Sequence, residues 1–189
     1  KLFSGGYGGA GEIGNTFLYD QGEPKTLEQL CGGQMFLKEI LNNWEKPCTK
    51  MIRDICDGQQ EQLTLENIVE AVKQNDPYCR MLAQQAGQIF GIGITNLLVS
   101  FNPHIVILGG QLINMGNAFI EPAKETVRRL MTPDEYLRVR LEISVLGDKA
   151  SMHGASLLVF RDLFPDLYSP EPSETPVNSV IPLTQLAGI

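Results

Sequence analysis

Three segments of this chain bring together residue types that could do chemistry. The first is Ser4-Gly5-Gly6-Tyr7-Gly8-Gly9-Ala10-Gly11-Glu12-Ile13-Gly14. Glycines let a backbone take positive φ and approach a ligand closely, and a carboxylate just after them can accept hydrogen bonds from polyol hydroxyls. A glycine-rich hairpin turn with a solvated acid would read the same way. The second is Thr26-Leu27-Glu28-Gln29-Leu30-Cys31-Gly32-Gly33, with Glu28 in the first turn of a helix. The helix dipole favours an acid there with or without a ligand. The third is Leu108-Gly109-Gly110-Gln111, at the carboxyl end of an apolar run. Ligands of α/β sheets gather beyond strand carboxyl ends, and paired glycines admit a nucleotide to the main chain. A simple tight turn would use the same pair.

The elements that must position these residues can be read in order. Lys1-Leu2-Phe3 reads as the end of a strand, so the chain is expected to be the later part of a longer protein. Thr16 to Tyr19 forms a short strand, followed by turn residues Asp20-Gln21-Gly22-Glu23-Pro24. Thr26 to about Asn75 is helical in pattern, broken at Gly32-Gly33, around Lys46-Pro47 and at Asp57-Gly58; Thr64 is the N-cap of a helix from Leu65 to Lys73. From Pro77 to about Phe101, Ala86, Phe90, Ile94, Leu97 and Phe101 recur at helical spacing. Gly87, Gly91 and Gly93 each cost that helix roughly 1 kcal/mol against Ala, which points to close packing on another backbone.

Pro103 ends the long helix. Ile105-Val106-Ile107-Leu108 then has the pattern of a strand buried on both faces. A helix follows over about Gly116 to Leu130. Arg138 to Val145 alternates, with Val139, Leu141, Ile143 and Val145 on one side and Arg138, Arg140, Glu142 and Ser144 on the other, as in an edge strand with one wet face. Ala150 to Leu163 is the last helix. These elements predict an α/β lobe over residues 1–164, with several helices and a short mixed sheet, and an irregular proline-rich tail over 165–189.

With 189 residues, 43% of them hydrophobic and 20% charged, the composition is that of a folded globular chain. No run approaches the roughly 20 apolar residues of a membrane span, and no signal segment is present, so a cytoplasmic location and no membrane partner are expected. A net charge of −7 argues against a nucleic-acid surface in this segment. Cys31, Cys48, Cys56 and Cys79 lack paired CxxC spacing and read as buried free thiols. His104 and His153 are too few for a histidine-based metal site.

In order and spacing, Gly9-Ala10-Gly11-Glu12-Ile13-Gly14, Leu27-Glu28 with Gly32-Gly33, Asn102-Pro103-His104-Ile105-Val106-Ile107-Leu108-Gly109-Gly110, and Gly147-Asp148 with Gly154-Ala155 resemble the second half of ROK-family proteins (repressors, open reading frames and sugar kinases). The resemblance covers roughly Lys1 to Phe160. It implies one lobe of the actin-like, ribonuclease H-like ATPase fold, the other lobe lying outside this chain. It also implies that Glu12 and Glu28 bind sugar and that Gly109 and Gly110 are adenosine neighbours if a nucleotide binds.

Two departures from the family pattern bear on function. Where the family commonly has a histidine that touches sugar and ligates structural zinc, this chain has Asn15; the cysteine-rich zinc loop is replaced by Asp20-Gln21-Gly22-Glu23-Pro24-Lys25. No zinc is therefore expected. Asn15 can still hydrogen-bond a sugar hydroxyl. The phosphate-binding loop and general-base aspartate of family kinases belong to the other lobe, so no catalytic residue is expected here, since half a cleft supplies neither positioning nor charge stabilisation. The reading is the effector lobe of a repressor responding to a hexose or N-acetylated amino sugar, with DNA bound through another segment. The alternative is half of a sugar kinase using ATP and magnesium. A homo-oligomer is expected from the resemblance.

Overall fold

The computed structural model describes residues 5–164. Lys1-Leu2-Phe3 and the proline-rich tail lie outside them. The elements are β1 (Phe17–Asp20), β2 (Glu23–Thr26), α1 (Leu27–Cys31), α2 (Gly33–Asn42), α3 (Lys50–Ile55), α4 (Leu65–Lys73), α5 (Pro77–Phe101), β3 (Ile105–Leu108), α6 (Asn117–Leu130), α7 (Pro133–Leu137), β4 (Arg140–Ile143) and α8 (Ala150–Leu163). Short 3-10 turns lie at Ile13–Asn15, Pro47–Thr49, Gln60–Gln62, Gln111–Met115 and Gly147–Lys149. The chain divides into two compact units, Lys1–Ala150 and Ser151–Ile189, with α8 starting at their boundary.

The strands form two separate two-stranded sheets, β1 antiparallel to β2 and β3 parallel to β4. The first is a hairpin closed by Gln21 and Gly22, both at positive φ (51° and 86°), the backbone twist that a two-residue connection needs. Pro24, expected in the turn, sits inside β2 opposite Tyr19. Its missing N–H is tolerated because a two-stranded sheet consists of edges. Lys25 Nζ reaches Asp20 Oδ2 at 2.6 Å and ties the two strands together.

The core is built on helices. Phe36, Ile40, Ile52, Ile68, Val72, Leu82, Ala86 and Phe119 are buried in one cluster spanning α2 to α6. A second cluster, Ile94, Leu98, Leu108 and Val127, joins the far half of α5 to β3 and α6. Helix α5 runs the full 25 residues expected, capped by Asp76, whose carboxylate accepts from Cys79 N at 2.7 Å. Its glycines do what their helix cost suggested: a Cβ on Gly87 would collide with the Phe119 carbonyl, and one on Gly91 would lie 2.5 Å from the Ala123 carbonyl of α6. Gly93 faces the Leu27 side chain of α1 instead.

Some expectations need correction. β3 is not buried on both faces. Val106 and Leu108 turn to the second cluster, but Ile107 is 63% exposed. A continuous apolar run does not say which faces are covered, and here helices cover one. The strand is shorter than the alternating segment, running only from Arg140 to Ile143; Arg138 instead caps the end of α7, a helix the sequence reading did not include, which starts with a Thr132–Glu135 capping box and Pro133 in its first turn. Of the side read as apolar and inward, Leu141 packs on the second cluster, whereas Val145 is fully exposed beyond the strand. Cys48 is exposed in the Pro47 turn, while Cys31, Cys56 and Cys79 are free and buried.

Candidate functional site

Helix α1 is short, and its start is fixed by side chains. The Thr26 hydroxyl accepts from Gln29 N at 3.2 Å, and Gln29 Oε1 accepts from Thr26 N at 2.9 Å. This reciprocal cap satisfies two backbone donors that a helix start leaves unpaired. Leu27 and Cys31, one turn apart, are buried, which turns Glu28 outward. The carboxylate does not stand alone there. A Cβ on Gly14 would come within 3.5 Å of Glu28 Cβ and 3.8 Å of its Oε2, and one on Gly32 would lie 2.9 Å from Glu28 Cγ and 2.5 Å from its carbonyl oxygen. Gly32 thus leaves room for the Glu28 side chain where a larger residue would collide with it, while Gly14 lies at ordinary contact distance on its other flank.

Gly14 belongs to the Ile13–Asn15 turn, whose backbone follows Glu12: Asn15 N donates to Glu12 O at 3.1 Å. Leu27 N donates to Thr16 O at 2.8 Å, anchoring this turn to the start of α1. Glu12 and Asn15 are both exposed. Gly14, which lies between them in sequence, is the residue of this turn set beside Glu28.

Glu28 lines a cleft of about 440 Å³ whose far wall is Gly109, Gly110 and Gln111. Its floor and near wall are apolar, with Leu37, Leu65, Phe90 and Phe119 among them. The Phe90 and Phe119 rings pack with centroids 5.3 Å apart. The structure therefore brings Glu28, Gly109 and Gly110 to one cavity and leaves Glu12 and Asn15 outside its lining. The glycine wall is held from the strand side: Ser144 N donates to Leu108 O at 2.7 Å, and a Cβ on Gly109 would lie 3.6 Å from Ser144 Cβ and 3.9 Å from the Gly147 carbonyl. Gly110, at φ +95°, begins the turn that follows. Gln34, which the sequence reading did not single out, and Gln111, which it quoted beside the glycine pair without a role, also line the cleft. A lone glutamine in a loop or on a helix face carries no pattern to find it by.

Such an arrangement offers a carboxylate acceptor at one side, exposed main chain at the other and an apolar surface between, the usual make-up of a site for a small ligand with hydroxyl groups on an apolar frame. Among the described residues no group of three or more His, Cys, Asp and Glu side chains is placed to hold a metal ion. No helix among them is long and apolar enough to cross a membrane.

Known proteins with related chains include both repressors and kinases. The xylose repressor of Caldicellulosiruptor bescii is 28% identical over 172 residues, covering 88% of this chain and 43% of that protein. A glucokinase of Halalkalibacterium halodurans is 23% identical, covering 84% of this chain and 50% of that protein. The chain thus spans about half the length of the curated relatives it matches. Among solved structures, the ROK family glucokinase from Streptomyces griseus in complex with glucose and AMPPNP superposes with a TM-score of 0.71 at 24% identity, over 84% of this chain and 54% of that one. A ROK family transcriptional regulator homologous to the E. coli MLC protein superposes with a TM-score of 0.68 at 22% identity, over 82% of this chain and 40% of that one. These likenesses give the fold, the actin-like architecture of ROK sugar kinases. Because the pattern that defines the ROK family matches residues 1–162, nearly the whole chain, this protein belongs to the ROK family.

Proposed function

We propose that this chain is the sugar-binding effector lobe of a ROK-family transcription repressor. The observation that carries the reading is that Glu28, with Gly14 beside its carboxylate and Gly32 beside its stem, lines the same cleft as Gly109 and Gly110. Sugar hydroxyls would donate to Glu28 and, from the adjoining turn, to Glu12, with Asn15 as a neutral partner able to donate or accept. A sensor needs the sugar acids and tolerates losing the histidine and zinc that the family commonly has where this chain has Asn15. Similarity to two xylose repressors, at 28% and 25% identity over 88% of this chain, supports a repressor and adds a pentose to the hexoses and N-acetylated amino sugars as effector class. DNA would be bound through a segment outside this chain, in a homo-oligomer.

A second reading, half of an ATP-dependent sugar kinase, draws on Gly109 and Gly110 lining the same cleft as Glu28 and on similarity to glucokinases. The glycine wall and the apolar surface suit an adenosine moiety. Among the described residues the lining has no Lys or Arg, so the nucleotide phosphates and their magnesium would be held by groups beyond this cleft.

In the full-length protein, Glu28→Gln and Glu12→Gln should each weaken sugar binding by about 1 to 3 kcal/mol, the scale of a hydrogen bond to a charged group. Calorimetric titration with pentoses, hexoses and N-acetylated amino sugars reads this directly, and unchanged affinity in both variants would remove the site. Sugar-dependent ATP consumption on the same samples would favour the kinase; binding without turnover favours the sensor.

A further inference from the structure

The cleft has a fastening that neither the acids nor the glycine pair supplies. One side of it carries Gln34 and Leu37 of α2 and Leu65 of α4; the other is the segment Gly109–Ile113. From that segment Gln111 Nε2 donates to Glu66 Oε1 of α4 at 2.6 Å. Glu66 stands on firmly held backbone, although its side chain and that of Gln111 are exposed. It is the second residue of α4, behind the capping box of Thr64 and Asn67, and α4 buries Ile68, Val69, Ala71 and Val72. Gln111 is placed less firmly by its own backbone. It opens the 3-10 turn Gln111–Met115, which lies between Gly110 at φ +95° and Gly116 at φ +63°. Glycines in this region are natural pivots, because other residues are strained there. Leu112, Ile113 and the buried Met115 pack the turn on the core; the bond to Glu66 adds a polar tie at Gln111 itself, next to the glycine wall.

We propose that Gln111 is a positioning residue of the cleft: clasped by Glu66, it fixes the Gly109–Gly110 wall at the distance from α4 that the ligand requires. The proposal rests on the sugar-binding reading above. A ligand that packs against this wall binds only the fraction of molecules in which the wall is in place, and its apparent affinity falls by that fraction when the clasp is lost.

In the full-length protein, Gln111→Glu sets two carboxylates against each other and opens the clasp. Adding Glu66→Gln restores an amide-to-carboxylate bond with the partners exchanged. Two readouts apply: calorimetric titration with D-xylose, D-glucose and N-acetylglucosamine, and amide hydrogen exchange of the peptide covering Gly109–Gly116. Gln111→Glu is expected to lose about threefold to fivefold in affinity for whichever sugar the parent binds, the scale of one solvent-exposed charged contact, and to exchange faster in that peptide. The double variant should recover both, a rescue that general destabilisation would not give. Should Gln111→Glu fail to fold, Gln111→Ala removes the bond without adding charge and is expected to show the same faster exchange. Unchanged affinity and exchange in the single variant, or a loss that the double variant does not restore, overturns the proposal. If the parent binds none of the three sugars, the effector reading falls, and exchange alone decides: protection unchanged by opening the clasp overturns it.

Discussion

Cys48 and Cys31 are one residue type in opposite surroundings. Cys48 is exposed, whereas Cys31 is buried, donates to Leu27 O at 3.2 Å, and has its thiol pushed up to about 12 by that burial. Burial also raises Cys79, with the Asp76 charge adding to it, and raises Cys56, with Asp57 adding to it. Since the thiolate is the reactive form, an aromatic disulfide reagent near neutral pH should label Cys48 alone in the native protein and the other three only on unfolding; mass spectrometry of the labelled peptides checks this. The same contrast marks what single residues reveal in sequence. Glu28 stands out in the sequence only as an acid in the first turn of a helix, and its role at a sugar is what the family resemblance implies. Gln111 lies in a segment that the sequence singles out, but the clasp proposed for it depends on Glu66, distant in sequence, and a contact of that kind leaves no local trace.

At the scale of elements, α5 and α6 hold the molecule together through glycine contacts. Gly87→Ala or Gly91→Ala forces a methyl into the α6 backbone and should destabilise by about 1 to 3 kcal/mol or more, as overpacking does. Gly154→Ala, on α8 with nothing within 4 Å of the added carbon, should instead stabilise by roughly 0.5 to 1 kcal/mol, the ordinary helix preference for alanine. Urea unfolding of the three variants separates the two cases. The bounds of α5, β3 and α8 could be read closely in the sequence, because each is long or sharply punctuated: Pro77 and Asn102-Pro103 enclose α5, and Gly109-Gly110 closes β3. Helix α7 was missed although Thr132-Pro133-Asp134-Glu135 spells a helix start, since the alternation just after it read more strongly. The exposure of Ile107 was beyond reach, as it depends on which helices cover the sheet.

Across the whole chain, groups whose protonated form the fold favours make stability depend on alkaline pH. Cys31, Cys56, Cys79 and Tyr78 are all raised by burial; for Tyr78, the Glu39 charge and its hydrogen bond add to that and bring it to about 12. A raised group binds its proton more tightly folded than unfolded, so its contribution is fully present below the ordinary values of 9.0 for cysteine and 10.0 for tyrosine and is lost as pH climbs towards 12. The urea midpoint should therefore fall between pH 9 and 12, and Cys31→Ala should flatten that fall. The parallel pairing of β3 with β4 also sets an order of events in time. Its two strands have all of α6 and α7 between them, so a long loop must close before any ladder bond rewards it. Helices α5 and α6 are separated only by β3 and short turns, and their glycine contacts can lock early. The helix pair is then the expected folding nucleus, with the glycine wall of the cleft, hung on the end of β3, taking shape after it; Gly87→Ala should slow folding more than it speeds unfolding in stopped-flow measurements.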